Sequence, residues 1–390
     1  MIKCFSQMNV LLILGNGFDL NLGFPTAYSH FYDFYLDKDL HPDDTRRNVL
    51  KESLYDWKNQ LGTDQKDIID WSDLELAIGA VSKKYKNPTD YLGDFEDLAE
   101  ELLDYLKSVD RIEIKNLDKI AVQFLDDILR VSLLTDFSKF LIDKSKVNGQ
   151  TGFTGYLDNN PTNSLRTFLN AYSSIGNSLK LDVMTFNYTS TVERIFEKIK
   201  SLNLPADKIS LGKVLHIHQE LDENGIILGV NSLDQILNKE FHSVYSIYNG
   251  LVKPNLIAAF ASGTDNECIE AMERADVIIL FGVSLGETDS VWWKRLGSIV
   301  AGGGKRIIYC PYERREDFAY RSRAIVNRIH NLIHFLLNKF YLSSSDYTKM
   351  ENLVYPVRKN QMFDFLEGED LKKEQEKNLE KVKKYISLPF

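Results

Sequence analysis

Cysteine is scarce in this chain: Cys4, Cys268 and Cys310 stand far apart among 390 residues. Three scattered thiols build neither a disulfide framework nor a four-thiolate zinc site, so a reducing compartment, the cytoplasm, is expected. Long apolar runs are missing too. None approaches the roughly 18–20 residues that span a bilayer, and no membrane association is expected. An excess of positive charge is likewise absent, since 47 basic residues face 56 acidic ones for a net charge of −9. A protein whose main task is clamping a nucleic-acid backbone carries the opposite balance. There is also no internal repeat, low-complexity tract or Pro/Gly/Ser linker to mark domain boundaries.

What is present is enough apolar residue, 44%, to bury a sizeable core. The length fits two or three domains, or one large domain carrying an insertion. Six short apolar runs bounded by turn residues predict buried strands: Asn9–Leu14, Leu181–Phe186, Lys213–His218, Ile226–Val230, Asp276–Phe281 and Lys305–Cys310. Between the first two runs the periodicity is mainly helical, over Tyr28–Leu36, Asp73–Lys83, Tyr91–Leu106, Leu117–Asp143 and Pro161–Ser178. Strands separated by helices imply an α/β fold with a doubly wound, mainly parallel sheet, here with a large helical insertion after the first strand. The expected division is a nucleotide-binding core at 1–26 and 181–345, an insertion at 27–180 and a helical extension at 346–390. The mixed charges of Glu369–Lys384 predict a solvated terminal helix.

Five stretches carry side chains suited to chemistry. The first strand runs into Gly15-Asn16-Gly17, a pair of glycines that lets the backbone turn tightly and approach a phosphate. The dinucleotide fingerprint would continue with glycine at position 20, where Leu20 stands, and Asp37 and Asp39 close a helical segment instead of a second strand. The dehydrogenase reading therefore fails, leaving a phosphate turn or a turn used for packing. A second run ends at Asn187 ahead of Thr189 and Ser190, which suit helix capping, while Asn187 suits a ribose or a water. In Lys213–His218, strand alternation puts His216 and His218 on one face. Either can serve as a general base near neutral pH. A zinc pair would need a third ligand, none is evident nearby, and no metal centre is expected. The run Asp276–Phe281 opens into a second glycine turn, Gly282 and Gly286, with Ser284 and Asp289. Those residues suit the close approach of a nucleoside, or a strand-to-helix turn capped by Asp289. Finally, Ser72-x-x-Glu75 reads as a capping box, which accounts for Glu75 without catalysis.

Taken in order, Gly15–Asp19 with Gly23–Thr26, Trp71 with Glu75, Phe186–Thr189, His216–His218 and Gly282–Gly286 with Asp289 resemble the abortive-infection family AbiH. These phage-defence proteins are distantly similar to sirtuins. The landmarks cover roughly residues 8–293. The resemblance implies that Gly15, Asn16, Gly17, Phe18 and Asp19 hold the diphosphate of NAD. It implies that Asn187 positions the nicotinamide ribose or a water, that His218 is the base with His216 beside it, and that Gly282, Ser284 and Asp289 hold the adenosine half. In sirtuin-like folds the histidine is usually followed by glycine, whereas Gln219 follows here.

The function expected on this basis is cleavage of the N-glycosidic bond of NAD, as substrate, or of a related nucleotide. A nucleotide-binding sensor without catalysis and a nucleic-acid-directed toxin are the alternatives, and three scattered cysteines exclude the zinc site of a sirtuin deacetylase. Expected partners are the nucleotide, a phage-derived trigger or partner protein, and further copies of the chain in a homo-oligomer.

Overall fold

A computed structural model describes residues 7–37, 48–60, 71–133, 178–202, 209–219, 221, 225–260, 263–302, 304–311, 322–357, 362–366 and 368–386. Its centre is a sheet of six strands, β1 (Gln7–Leu14), β2 (Ser178–Thr185), β3 (Ile209–His216), β4 (Val277–Phe281), β5 (Arg306–Cys310) and β6 (Val354–Pro356). The strands are all parallel in the order β3-β2-β1-β4-β5-β6. The order reverses between β1 and β4, so their carboxyl ends diverge into the crevice where doubly wound sheets gather ligands.

Between β1 and β2 run α1 (Gly17–Asn21), α2 (Tyr28–Asp37), α3 (Val49–Gln60), α4 (Trp71–Val81), α5 (Pro88–Asp110) and α6 (Leu117–Leu133). Helix α7 (Thr191–Ser201) links β2 to β3, and α8 (Tyr245–Leu251), α9 (Lys253–Phe260) and α10 (Thr264–Arg274) precede β4. After β4 come α11 (Ser290–Ala301), α12 (Ser322–Lys339), α13 (Ser344–Met350) and α14 (Gly368–Ile386). Apolar residues on both sides of β1 require both faces of the sheet to be covered. Val10, Leu12 and Leu14 join one core with α2, α5, α6 and α7, and Leu11 and Ile13 join a second with α10, α11 and α12. The helices between β1 and β2 thus share a core with the sheet they interrupt.

Three expectations need correction. Ile226–Val230 is not a strand: it buries Ile227, Leu228 and Val230, and among the described residues its one bridge is Val230 to Val252. Gly229, at φ +151°, packs so close to Leu251 that its backbone is committed there rather than to the sheet. The sixth strand is instead Val354–Pro356, a three-residue edge ending in proline, where a missing N–H is tolerated. The terminal helix is not solvated all round: Glu374, Asn378 and Val382, one turn apart, are buried against the body. Asn378 donates to the Gly23 carbonyl at 3.0 Å and Gln375 to that of Leu20 at 3.2 Å, fastening α14 to α1 and the turn after it. The helix expected over 161–178 lies outside the described residues, apart from Ser178, which opens β2, as does the expected continuation of α6 over 134–143.

Candidate functional site

The two glycine turns meet at the sheet's switch point. Gly15 N–H donates to the Phe281 carbonyl, Gly17 N–H to that of Gly282 and Phe18 N–H to that of Gly15, each at 3.0 Å. A Cβ on Gly15 would lie 2.4 Å from the Gly282 oxygen, and one on Gly282, at φ +67°, 2.8 Å from Gly17 Cα. Only glycine lets the β1 and β4 turns approach this closely. The neighbours are also engaged. Asn16 Nδ2 donates to the Thr26 carbonyl at 2.8 Å, and Phe18 packs edge-on against Phe124, Phe281, Phe363 and Phe365. Asp19 accepts from Thr189 Oγ1 at 2.6 Å, tying the β1 turn to the β2 turn. Burial pushes the Asp19 carboxyl up to about 6, although the Thr189 and Thr191 hydroxyls pull the other way.

Asn187 lies just beyond β2. Its N–H donates to Thr185 Oγ1 at 3.0 Å, and its carbonyl accepts from His216 Nδ1 at 2.8 Å. His216 Nε2 sits 2.9 Å from Glu193 Oε1 on α7, so this ring braces the β2 turn against a helix. Asn187 Nδ2 is buried with no hydrogen-bond partner among the described residues. An unpaired buried donor costs about 1–3 kcal/mol, which a bound ligand or water would recover.

His218 has different company, because β3 ends at His216 and strand alternation ends with it. Its Nε2 lies 3.0 Å from Asp289 Oδ1. The same oxygen accepts from Lys253 Nζ at 2.7 Å, and Lys253 also donates to Glu75 Oε2 at 2.8 Å. Four groups from the turn after β3, the turn after β4, α9 and α4 therefore form one chain. Phe186 and Tyr188 pack on the His218 ring, with Trp293 behind Phe186. Burial alone would raise the Asp289 carboxyl, but Lys253 and His218 hold it well below the ordinary range. Burial raises Glu75 despite the opposing charge of Lys253. It works against the Lys253 ammonium, yet Asp289 and Glu75 raise that group above its ordinary value. Two carboxyl groups thus flank one ammonium, and Asp289 is the one whose charge its neighbours stabilise. Thr288 Oγ1 and Trp293 Nε1, on the segment after β4, are further buried polar atoms without a partner among the described residues. Ser284 is exposed on the loop after β4, outside this chain of contacts.

The family described as bacteriophage abortive infection AbiH matches residues 11–309, about three quarters of the chain. The chain belongs to the AbiH family. No curated protein matches it. Membership in AbiH places the protein in phage defence, and the matched span takes in both glycine turns and the whole chain from Glu75 to His218.

Two features of this AbiH site escape sequence reasoning, Lys253 and the pairing of Glu75 with it. The capping-box reading of Glu75 is overturned: Ser72 is the second residue of α4, inside the helix, and the Glu75 carboxylate turns to Lys253. Gly79 allows this placement, since a Cβ there would lie 2.3 Å from the Gln235 carbonyl oxygen and hold α4 away. The visible signal was a charged residue within each of two apolar stretches, "LELAI" and "LVKPNLI". Gln219 stands at φ +71°, in the left-handed region, which explains why glycine suits the position after the histidine. Among the described residues no helix is long and apolar enough to cross a membrane.

Proposed function

We propose that this site hydrolyses the N-glycosidic bond of NAD or a related nucleotide during phage defence, with His218 as general base. The observation that carries the reading is the His218–Asp289 contact at 3.0 Å, with Asp289 itself fixed by Lys253. A carboxylate accepting from Nε2–H leaves Nδ1 as the basic nitrogen. The bond from C1′ to the nicotinamide nitrogen breaks with its electron pair going to that nitrogen, so nicotinamide leaves neutral. The ribose becomes oxocarbenium-like, and the negative charge of Asp289 favours it. Water then bonds to C1′ and passes a proton to His218, giving nicotinamide and ADP-ribose. The unpaired Asn187 amide orients a ribose hydroxyl or the water.

The N–H groups of Gly15, Gly17 and Phe18 are already bonded to carbonyls, so other donors would hold a diphosphate at the turn Gly15–Asp19. Gly282 and Ser284 border the adenosine half. Because constant NAD loss would harm the host, a phage-derived trigger and a homo-oligomeric active form complete the reading. The test is purified protein with NAD, following free nicotinamide and nucleotide binding separately. Release that His218→Ala lowers about 10²–10⁴-fold supports the base role. Binding without release in the wild type would instead favour a non-catalytic sensor.

A further inference from the structure

A second group of ligating side chains lies outside the span matched by the family, on the far side of β5. His330 and His334 occupy positions one turn apart on α12, so their rings project from the same face. Glu351 reaches them from the single 3₁₀ turn that follows α13 and leads into β6. The ligating atoms form a triangle: His330 Nε2 to His334 Nε2 is 2.9 Å, His334 Nε2 to Glu351 Oε1 is 3.4 Å, and His330 Nε2 to Glu351 Oε1 is 3.8 Å. A metal with ligands at about 2.0–2.1 Å has tetrahedral edges of roughly 3.3–3.4 Å, and the triangle brackets that value.

The outer contacts fit as well. Tyr347, one turn before Glu351, puts its hydroxyl against His334 Nδ1. A proton on Nδ1, donated to the tyrosine oxygen, leaves the Nε2 lone pair directed at the triangle, as in most histidine metal ligands. The His330 and His334 rings lie with centroids 3.9 Å apart, close enough to share one ion. His330 is exposed and the other two are half-buried, so an ion can enter from solvent.

We propose that His330, His334 and Glu351 bind one divalent transition ion of the zinc class, with water completing the coordination. Two imidazoles and a carboxylate suit zinc, cobalt or nickel and disfavour calcium or magnesium, which prefer oxygen-only shells. The ion joins α12 to the turn that feeds β6, a strand of only three residues at the edge of the sheet. Its role is thus to steady the C-terminal edge of the fold, independently of the chemistry at His218.

Untagged full-length protein, stripped by chelation and dialysed against zinc or cobalt, tests this. One equivalent of zinc per chain is expected, with a visible cobalt spectrum of four-coordinate type and a higher melting temperature on zinc addition. His330→Ala, His334→Ala and Glu351→Ala should each abolish the stoichiometric binding and the zinc-dependent stabilisation. Tyr347→Phe should weaken binding about 10-fold. His242→Ala, remote in sequence and bonded to the Ile236 carbonyl, should bind as the wild type does. Absence of one-equivalent binding, or its survival in any of the three ligand variants, overturns the proposal. Circular dichroism of each apo variant shows that lost binding is not lost folding.

Discussion

At the level of single residues, Asp19 ties the stability of the fold to pH. Its folded-state carboxyl titrates at about 6 against an ordinary 3.8, so the native state holds its proton longer than the unfolded chain does. Stability from this group is full below about pH 3.8 and falls as pH rises through 6, by about 3 kcal/mol in all. Asp19→Asn keeps an oxygen to accept from Thr189 and carries no charge. Urea midpoints at pH 5 and pH 7.5 should converge in that variant and separate in the wild type. The sequence showed Asp19 as a polar residue beside a glycine turn, which suited a ligand contact equally well. Its partner Thr189 is 170 positions away, and nothing local announces it. Lys253 was hidden for the same reason: a lysine in an apolar stretch is visible, but its two carboxylate partners come from elements far apart in the chain. Asn187 and His218 were legible because both follow a buried run at its carboxyl end, where chemistry collects.

Elements meet at this site through two kinds of contact, and each predicts its own phenotype. The Glu75–Lys253–Asp289 chain clamps α4 and α9 to the turn after β4. Lys253→Met leaves the buried Glu75 carboxyl without its ion-pair partner and Asp289 with His218 alone, and should destabilise the protein by about 3–5 kcal/mol, with much of that recovered in Lys253→Met/Glu75→Gln. Denaturant unfolding of the single and double variants reads the difference directly. Backbone packing of the two glycine turns is less forgiving. Gly282→Ala adds a Cβ 2.8 Å from Gly17 Cα at a left-handed φ, so a loss of at least about 2 kcal/mol is expected. Gly250→Ala, in α8 with open space around it, should be neutral or stabilising by up to about 1 kcal/mol. Strand periodicity in the sequence located β1, β2, β4 and β5 because each is a near-continuous apolar run. It missed β6, whose Val-Tyr-Pro is too short to show a period, and it mistook Ile226–Val230 for a strand because burial against a helix and loop looks the same as burial in a sheet.

At the scale of the whole molecule, one sheet with two covered faces carries everything described. The terminal helix α14 belongs to that body, since Asn378 and Val382 are buried and Asn378 holds the Gly23 carbonyl. Truncation after residue 367 should therefore lower the melting temperature and expose the loop after β1 to proteolysis, whereas a solvated tail would be dispensable. The sequence of that helix hid this role: one buried residue in four, two of them polar, is too thin a stripe to distinguish from a charged surface helix. The central claim, that His218 serves NAD cleavage in phage defence, is tested most directly in infected cells. NAD and nicotinamide should be measured after phage infection in cells carrying either the wild type or His218→Ala at equal protein levels. NAD should fall and nicotinamide rise with the wild type alone. Protection from phage with NAD unchanged, or an equal fall in both cells, would contradict it.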